Sequence, residues 1–209
     1  MKISYGRQYV DSRDKKNVIK ALSSDLITQG LYIKKFEKNL KKYFNCKHVT
    51  VVSSGTAAMH LVALALGWKK NDLILMSPIT FLSTANIVDH LSANLDFVDI
   101  DDKTYNLCPK KLEAKILSLK NKKVRAVVAT DYAGLPCEWQ KLNELSKKYK
   151  FDLINDNCHA IGADINKKKS YGTDYALASI HSYHPVKNIT TGEGGAILTN
   201  NKKLNLKIR

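Results

Sequence analysis

The chain lacks any apolar run long enough to span a bilayer. Its longest, Leu61 to Gly67, falls far short of the ~20 residues a membrane helix needs, and no membrane association is expected. The opening residues, Met1-Lys2-Ile3-Ser4-Tyr5-Gly6-Arg7, carry no apolar stretch of the kind a secretory signal requires, so the expected compartment is the cytoplasm. Cys46, Cys108, Cys137 and Cys158 are scattered with no CxxC pair, which argues against a zinc ribbon and fits free thiols in a reducing compartment. No histidines or carboxylates stand at ligand spacing, and no metal site is expected. Acidic residues are also short, 19 against 34 Lys and Arg, for a net charge of +15. That balance attracts polyanions. Yet no helix-turn-helix, zinc-finger or aromatic-interleaved RNA motif accompanies it. The lysines come as scattered doublets such as Lys15-Lys16, Lys41-Lys42, Lys69-Lys70 and Lys147-Lys148, as a Lys- and Asn-rich composition would place them. The charge favours an acidic, nucleotide-linked ligand over a nucleic acid.

What is present is a repeated alternation of β-rich and helical runs. With 209 residues, 44% of them hydrophobic, there is material for one full domain and part of a second. Strands are expected at His48–Val52, Leu73–Met76, Leu95–Val98, Val124–Ala129, Phe151–Ile154, Ala176–Ile180 and Gly195–Leu198. Between them, Thr56–Leu66 and Phe81–His90 read as helices. Pro109 opens another with Leu112, Ile116 and Leu119 on one face, and Trp139, Leu142, Leu145 and Tyr149 stripe a fourth. The expectation is an α/β fold: a mainly parallel seven-stranded sheet with helices on both faces and right-handed crossovers. In such sheets ligands bind beyond the carboxyl ends of the strands.

Chemistry-bearing residues fall at those ends. Ser182-Tyr183-His184-Pro185-Val186-Lys187-Asn188 runs into Ile189-Thr190-Thr191-Gly192-Glu193-Gly194-Gly195, placing a hydroxyl, an imidazole and a lysine between an apolar run and a glycine-rich turn. Lys187 there can be a solvated side chain or the anchor for an aldehyde cofactor, pyridoxal 5'-phosphate (PLP). A lysine amine reacts only where burial or neighbouring charge favours its neutral form. Ser53-Ser54-Gly55-Thr56 either caps a helix or offers hydroxyls and free N–H groups to a phosphate. Phe81 is a core residue or a lid on a flat ring. Asp156 is a surface carboxylate, a cap, or the partner of a pyridine nitrogen, which it would keep protonated. His181 reads as strand-end packing.

Together these residues resemble the sugar-nucleotide aminotransferases of the DegT/DnrJ/StrS group, PLP enzymes of fold type I. The similarity runs from Tyr5-Gly6-Arg7-Gln8 through Leu26-Ile27-Thr28-Gln29-Gly30, Phe36-Glu37 and Ser53-Ser54-Gly55-Thr56-Ala57-Ala58-Met59-His60-Leu61. It continues in Ser77-Pro78-Ile79-Thr80-Phe81, Phe97-Val98-Asp99-Ile100-Asp101, Asp156-Asn157-Cys158-His159-Ala160-Ile161-Gly162 and the lysine segment. Thr130-Asp131-Tyr132-Ala133-Gly134 is most similar to the branch that aminates a nucleotide-linked 4-keto-6-deoxyhexose on the way to pseudaminic acid. The resemblance implies that Lys187 forms the Schiff base and moves the proton, and that Ser182, Gly55, Thr56 and the Ala57 backbone hold the phosphate. It further implies that Phe81 covers the ring, Asp156 pairs with the ring nitrogen and His159 approaches the ring hydroxyl. His184 follows the family pattern without an evident role. Two departures stand out: many relatives carry Glu at the place of Asn155 and a small residue at the place of Asn157.

The resemblance also implies glutamate as amino donor, a homodimer, and a second, smaller domain. On that reading residues 1–30 are an N-terminal segment and 31–209 the PLP-binding large domain, with Lys202 to Arg209 the opening of a helix cut short. The chain would then be the cofactor-binding portion of a larger enzyme. Two rivals stay open: an inactive fragment that binds PLP without turnover, and a basic nucleic-acid-binding protein.

Overall fold

The computed structural model describes residues 6–120 and 122–209; Tyr5 of the first quoted motif lies outside them. Seven strands, β1 (His48–Val52), β2 (Leu73–Met76), β3 (Asn94–Phe97), β4 (Val124–Thr130), β5 (Asp152–Asp156), β6 (Ala178–Ser182) and β7 (Gly195–Thr199), form one sheet in the order β1-β7-β6-β5-β4-β2-β3. Only β7 runs against the rest, pairing antiparallel with both β1 and β6. The mainly parallel sheet is thus as expected; the connection between β6 and β7 contains no helix to form a crossover, and the chain turns back to lay β7 antiparallel beside β6. β5 and β6 each start and end one or two residues later than their apolar runs suggest, because ladder pairing of Asn155 with Ser179 and Asp156 with Ile180 carries polar residues into the sheet.

Among the described residues the helices are α1 (Ser12–Leu22), α2 (Leu31–Tyr43), α3 (Gly55–Leu66), α4 (Ser83–His90), α5 (Pro109–Ser118), α6 (Trp139–Tyr149), α7 (Tyr171–Tyr175) and α8 (Lys202–Ile208), with a short 3-10 turn at Tyr132–Gly134. α3, α4 and α8 pack on one face through Ala58, Val62, Val88 and Leu204, over Ile74, Val128, Ile154 and Ile180. The other face is covered by α5, α6 and α7 through Leu112, Trp139, Leu142 and Tyr171, and by α2 through Leu40 over β1 and β7. Trp139 and Leu142 are essentially inaccessible, and full burial of a large apolar side chain contributes about 1.5–3 kcal/mol. α1 is different: none of its residues is buried, and Val18, Ile19 and Leu22 are exposed.

A register shift between Leu73 and Ile74 makes Arg125 an extra residue in β4. Val124 and Val127 therefore share a face, while Ala126 and Val128 take the other. The extra side chain donates to Asp152 Oδ2 at 2.6 Å and to the Leu66 carbonyl at 2.6 Å, tying β5 and the end of α3 to the sheet. α4 begins at Ser83, not at Phe81, which leaves Thr80 and Phe81 in the loop beyond β2.

Candidate active site

The carboxyl ends of β1, β2, β4, β5 and β6 and the start of β7 surround a cavity of about 840 Å³. Beyond β1, the Ser54 side chain caps α3 by accepting the Ala57 N–H at 3.0 Å. The helix cannot satisfy the N–H groups of Gly55 and Thr56 within itself, and both residues line the cavity. Their dipole end favours an anion. Gly55 has no room for a side chain: a Cβ would lie 2.9 Å from Ser182 Cβ and 3.2 Å from Cys158 Sγ. The Ser182 hydroxyl is thereby brought beside the helix terminus. Gly195, paired across the sheet with both Val52 and Ser182, presses on the Ser54–Gly55 peptide from the other side.

Asp156 ends β5, in register with Thr130 and Ile180, and is 7% exposed. Its Oδ1 accepts the Cys158 N–H at 3.1 Å, and its Oδ2 accepts the Thr130 hydroxyl at 3.4 Å. Thr130 Oγ1 lies 2.9 Å from Thr80 Oγ1, linking the ends of β2 and β4. Lys187 stands half-buried on the same cavity, in a turn closed by its N–H to the His184 carbonyl at 2.9 Å. Burial pushes the His159 imidazole below its ordinary value, and the Lys187 charge adds to this against the opposing pull of Asp156. His159 is therefore neutral near pH 7. Burial, with Asp156 adding, pushes the Cys158 thiol well up, so it stands as a neutral SH.

Of the residues expected at the site, Gly55, Thr56, Phe81, Asp156, His159, Ser182 and Lys187 all line this cavity. Ala57 does not; its N–H is committed to the cap. In the SSGT stretch Ser54 is thus the cap, and the next two residues turn backbone N–H groups unused by the helix toward an anion-sized ligand site on the cavity wall. Phe81 is 67% exposed on the wall, so it is no core residue. His181 lies outside the cavity, fully buried, with its ring edge-on to Phe44 at 4.7 Å between centroids. Sequence reasoning gave no role to Thr80, Thr130, Tyr132 or Glu193, which also line the wall. The signal for the two threonines was their position at or just past strand ends.

An open α/β sheet with a lysine, a buried carboxylate and an anion cradle around one strand-end cavity defines a ligand-binding α/β domain equipped to hold a phosphorylated cofactor. The chain belongs to the DegT/DnrJ/EryC1/StrS aminotransferase family, whose pattern matches residues 8–209. That family uses pyridoxal phosphate. A UDP-4-amino-4,6-dideoxy-N-acetyl-beta-L-altrosamine transaminase of Campylobacter jejuni is 39% identical over 207 residues, covering 99% of this chain and 54% of that protein. Among solved structures, Helicobacter pylori PseC, an aminotransferase involved in pseudoaminic acid biosynthesis, superposes with a TM-score of 0.89 at 33% identity, covering 100% of this chain and 55% of that one. NtdA from Bacillus subtilis, solved with bound cofactor PMP, gives 0.83 at 28% identity, covering 95% and 45%. The chain spans about half the length of the curated relatives it matches.

Proposed function

We propose that this chain is the cofactor-binding part of a PLP-dependent aminotransferase that passes an amino group from glutamate to a nucleotide-linked 4-keto-6-deoxy sugar. The observation that carries this reading is the convergence of Lys187, Asp156 and the Gly55/Thr56/Ser182 cradle on one cavity. The residues fit the cofactor. A phosphate suits the cradle, where a Cβ on Gly55 would collide with Ser182, and Asp156 offers a carboxylate already held by Cys158 and Thr130. When bound, pyridoxal phosphate supplies an electron sink that stabilises a carbanion next to nitrogen. Lys187 Nζ would hold the cofactor through its aldehyde group and, when free, would carry a proton to and from the reacting carbon of donor or acceptor. Asp156 would keep the ring nitrogen protonated. His159, neutral, accepts or donates a hydrogen bond at the ring edge without adding charge.

The keto-sugar substrate and the pseudaminic acid pathway are supported by the names of the Campylobacter and Helicobacter relatives. A homodimer is supported by apolar side chains left exposed at Leu22, Leu26, Ile27 and Leu31. Four free cysteines are compatible with the cytoplasm. The decisive test is chemical: protein incubated with pyridoxal phosphate should turn yellow, bleach on borohydride reduction and retain the label on the peptide containing Lys187. Lys187→Ala should abolish both effects. A label on another lysine would mean the site is misassigned.

A further inference from the structure

Behind the cavity lies a buried carboxylate that the proposed chemistry does not use. Asp131, immediately past β4, is wholly inaccessible. Its Oδ1 accepts the Cys137 N–H and the Trp139 indole N–H, each at 2.8 Å. Its Oδ2 accepts the side-chain amides of Asn155 at 2.8 Å and Asn157 at 2.9 Å, and the Tyr171 hydroxyl at 2.9 Å. Every contact is a donor, and no cation bonds to the group among the described residues. Burial pushes this carboxyl up, against the downward pull of those hydrogen bonds.

Asn155 and Asn157 are the two neighbours of Asp156. Side chains along a strand alternate between faces, so a group that binds 155 and 157 stands on the opposite side of the strand from the carboxylate of Asp156. One oxygen of Asp131 thus grips the chain on both sides of Asp156. A third link joins them through the backbone, where the Asp131 N–H donates to the Asp156 carbonyl at 3.0 Å. The same alternation operates on β4: Thr130 turns to the cavity and reaches Asp156 Oδ2, while Asp131 turns away. The orientation of Asn157 shows which interaction dominates. Its Nδ2 serves Asp131 and the Tyr171 oxygen, and its Oδ1 is left buried without a partner among the described residues. Reversing the amide would satisfy neither acceptor and set oxygen against carboxylate.

We infer that Asp131 is a positioning residue for Asp156: anchored to the start of α6 and to Tyr171, it fixes the strand segment that presents Asp156 to the cavity. This rests on the reading that the cavity holds pyridoxal phosphate. Asp131→Asn replaces an acceptor by a donor facing donors, so the flanking amides must turn and Asp156 loses its fixed backing. Asn157→Ala removes one of the two grips and leaves the Asp131 carboxylate with its other bonds, a gentler change should Asp131→Asn fail to fold.

The experiment is a pH titration of the visible band of pyridoxal phosphate bound to the wild type and to each variant. Cofactor affinity and melting temperature without cofactor are measured beside it. Both variants should shift the pH midpoint of the band, by about one unit. Cofactor affinity should fall about tenfold, the fold-change that loss of one buried hydrogen bond corresponds to. The double variant should shift the midpoint no further than Asp131→Asn alone, because the two residues act through one linkage. Variants that melt lower yet keep the wild-type midpoint and affinity would reduce Asp131 to a core hydrogen-bonding residue and overturn the inference. A wild type that develops no band at all would overturn the cofactor reading, and this inference with it.

Discussion

Gly195→Ala offers the sharpest test of how the cradle is built. Gly195 opens β7 between Val52 of β1 and Ser182 of β6. A Cβ placed there would strike the carbonyl carbon and oxygen of Ser54 and stand 2.7 Å from the Gly55 nitrogen. Comfortable separation for non-bonded carbon is about 3.5–4.0 Å. The obstacle is backbone at the first turn of α3, so no rotamer change relieves it. Either β7 or the helix terminus must move. Overpacking typically costs about 1–3 kcal/mol and occasionally more; with backbone on the far side, a value of about 3 kcal/mol is expected. For a domain of this size that lowers Tm by about 6–12 °C. Gly55→Ala makes the useful contrast, since its Cβ would crowd side-chain atoms, Ser182 Cβ at 2.9 Å and Cys158 Sγ at 3.2 Å, instead of backbone at still closer range. It should cost about 1–2 kcal/mol in stability. Thermal melts followed by circular dichroism compare the two, and titration with pyridoxal phosphate should show both variants binding more weakly than wild type. If Gly195→Ala melts within about 2 °C of wild type, the claim that β7 sets the position of the α3 terminus is wrong.

Asp156→Ala should lower amino transfer at least about 100-fold, equivalent to about 2.7 kcal/mol of barrier; an undiminished turnover in that variant excludes the ring-nitrogen role. Ser54→Ala should cost about 1 kcal/mol of stability as a lost cap, while Ser182→Ala and Thr56→Ala should weaken cofactor binding more than they destabilise. Melting temperatures paired with binding isotherms separate these, and normal affinity in the last two variants would leave α3 with capping alone. Burial pushes His181 down to about 3 from 6.5 in the unfolded chain, so the fold resists its protonation and stability falls as pH drops from 6.5 toward 3. At pH 5 the loss relative to pH 7 is about 2 kcal/mol. Urea melts across that range should show the slope and His181→Gln should flatten it; an unchanged slope would assign it to other groups.

The seven strands and the helices between β1 and β5 were legible because each carries its own local signal, whereas α1, α2 and α7 were not anticipated. β-branched runs marked strands, Pro109 marked a helix start, and Trp139, Leu142 and Leu145 marked a buried stripe. Boundaries slipped where tertiary pairing extends a strand into polar residues, as at Ser182, or where the loop runs further than the helical pattern suggests, as at Phe81 and Leu82. That Gly55, Thr56, Asp156 and Ser182 line one cavity was legible for a different reason: an open parallel sheet directs strand ends to one edge, so residues at or just past each strand end are candidates before any coordinate is known. What stayed hidden is the layer behind that edge. Asp131, Asn155, Asn157 and Tyr171 are polar residues whose separate sequence positions give no hint that they converge. They meet only because β4, β5 and α7 are brought together by the sheet order. A buried carboxylate is costly unless donors surround it. Asparagines at 155 and 157 therefore have a physical reason in this chain: an acidic side chain at either place would confront Asp131 with a second anion. The identity of these two residues and the presence of Asp131 are one requirement, met on the side of β5 that the cavity never touches.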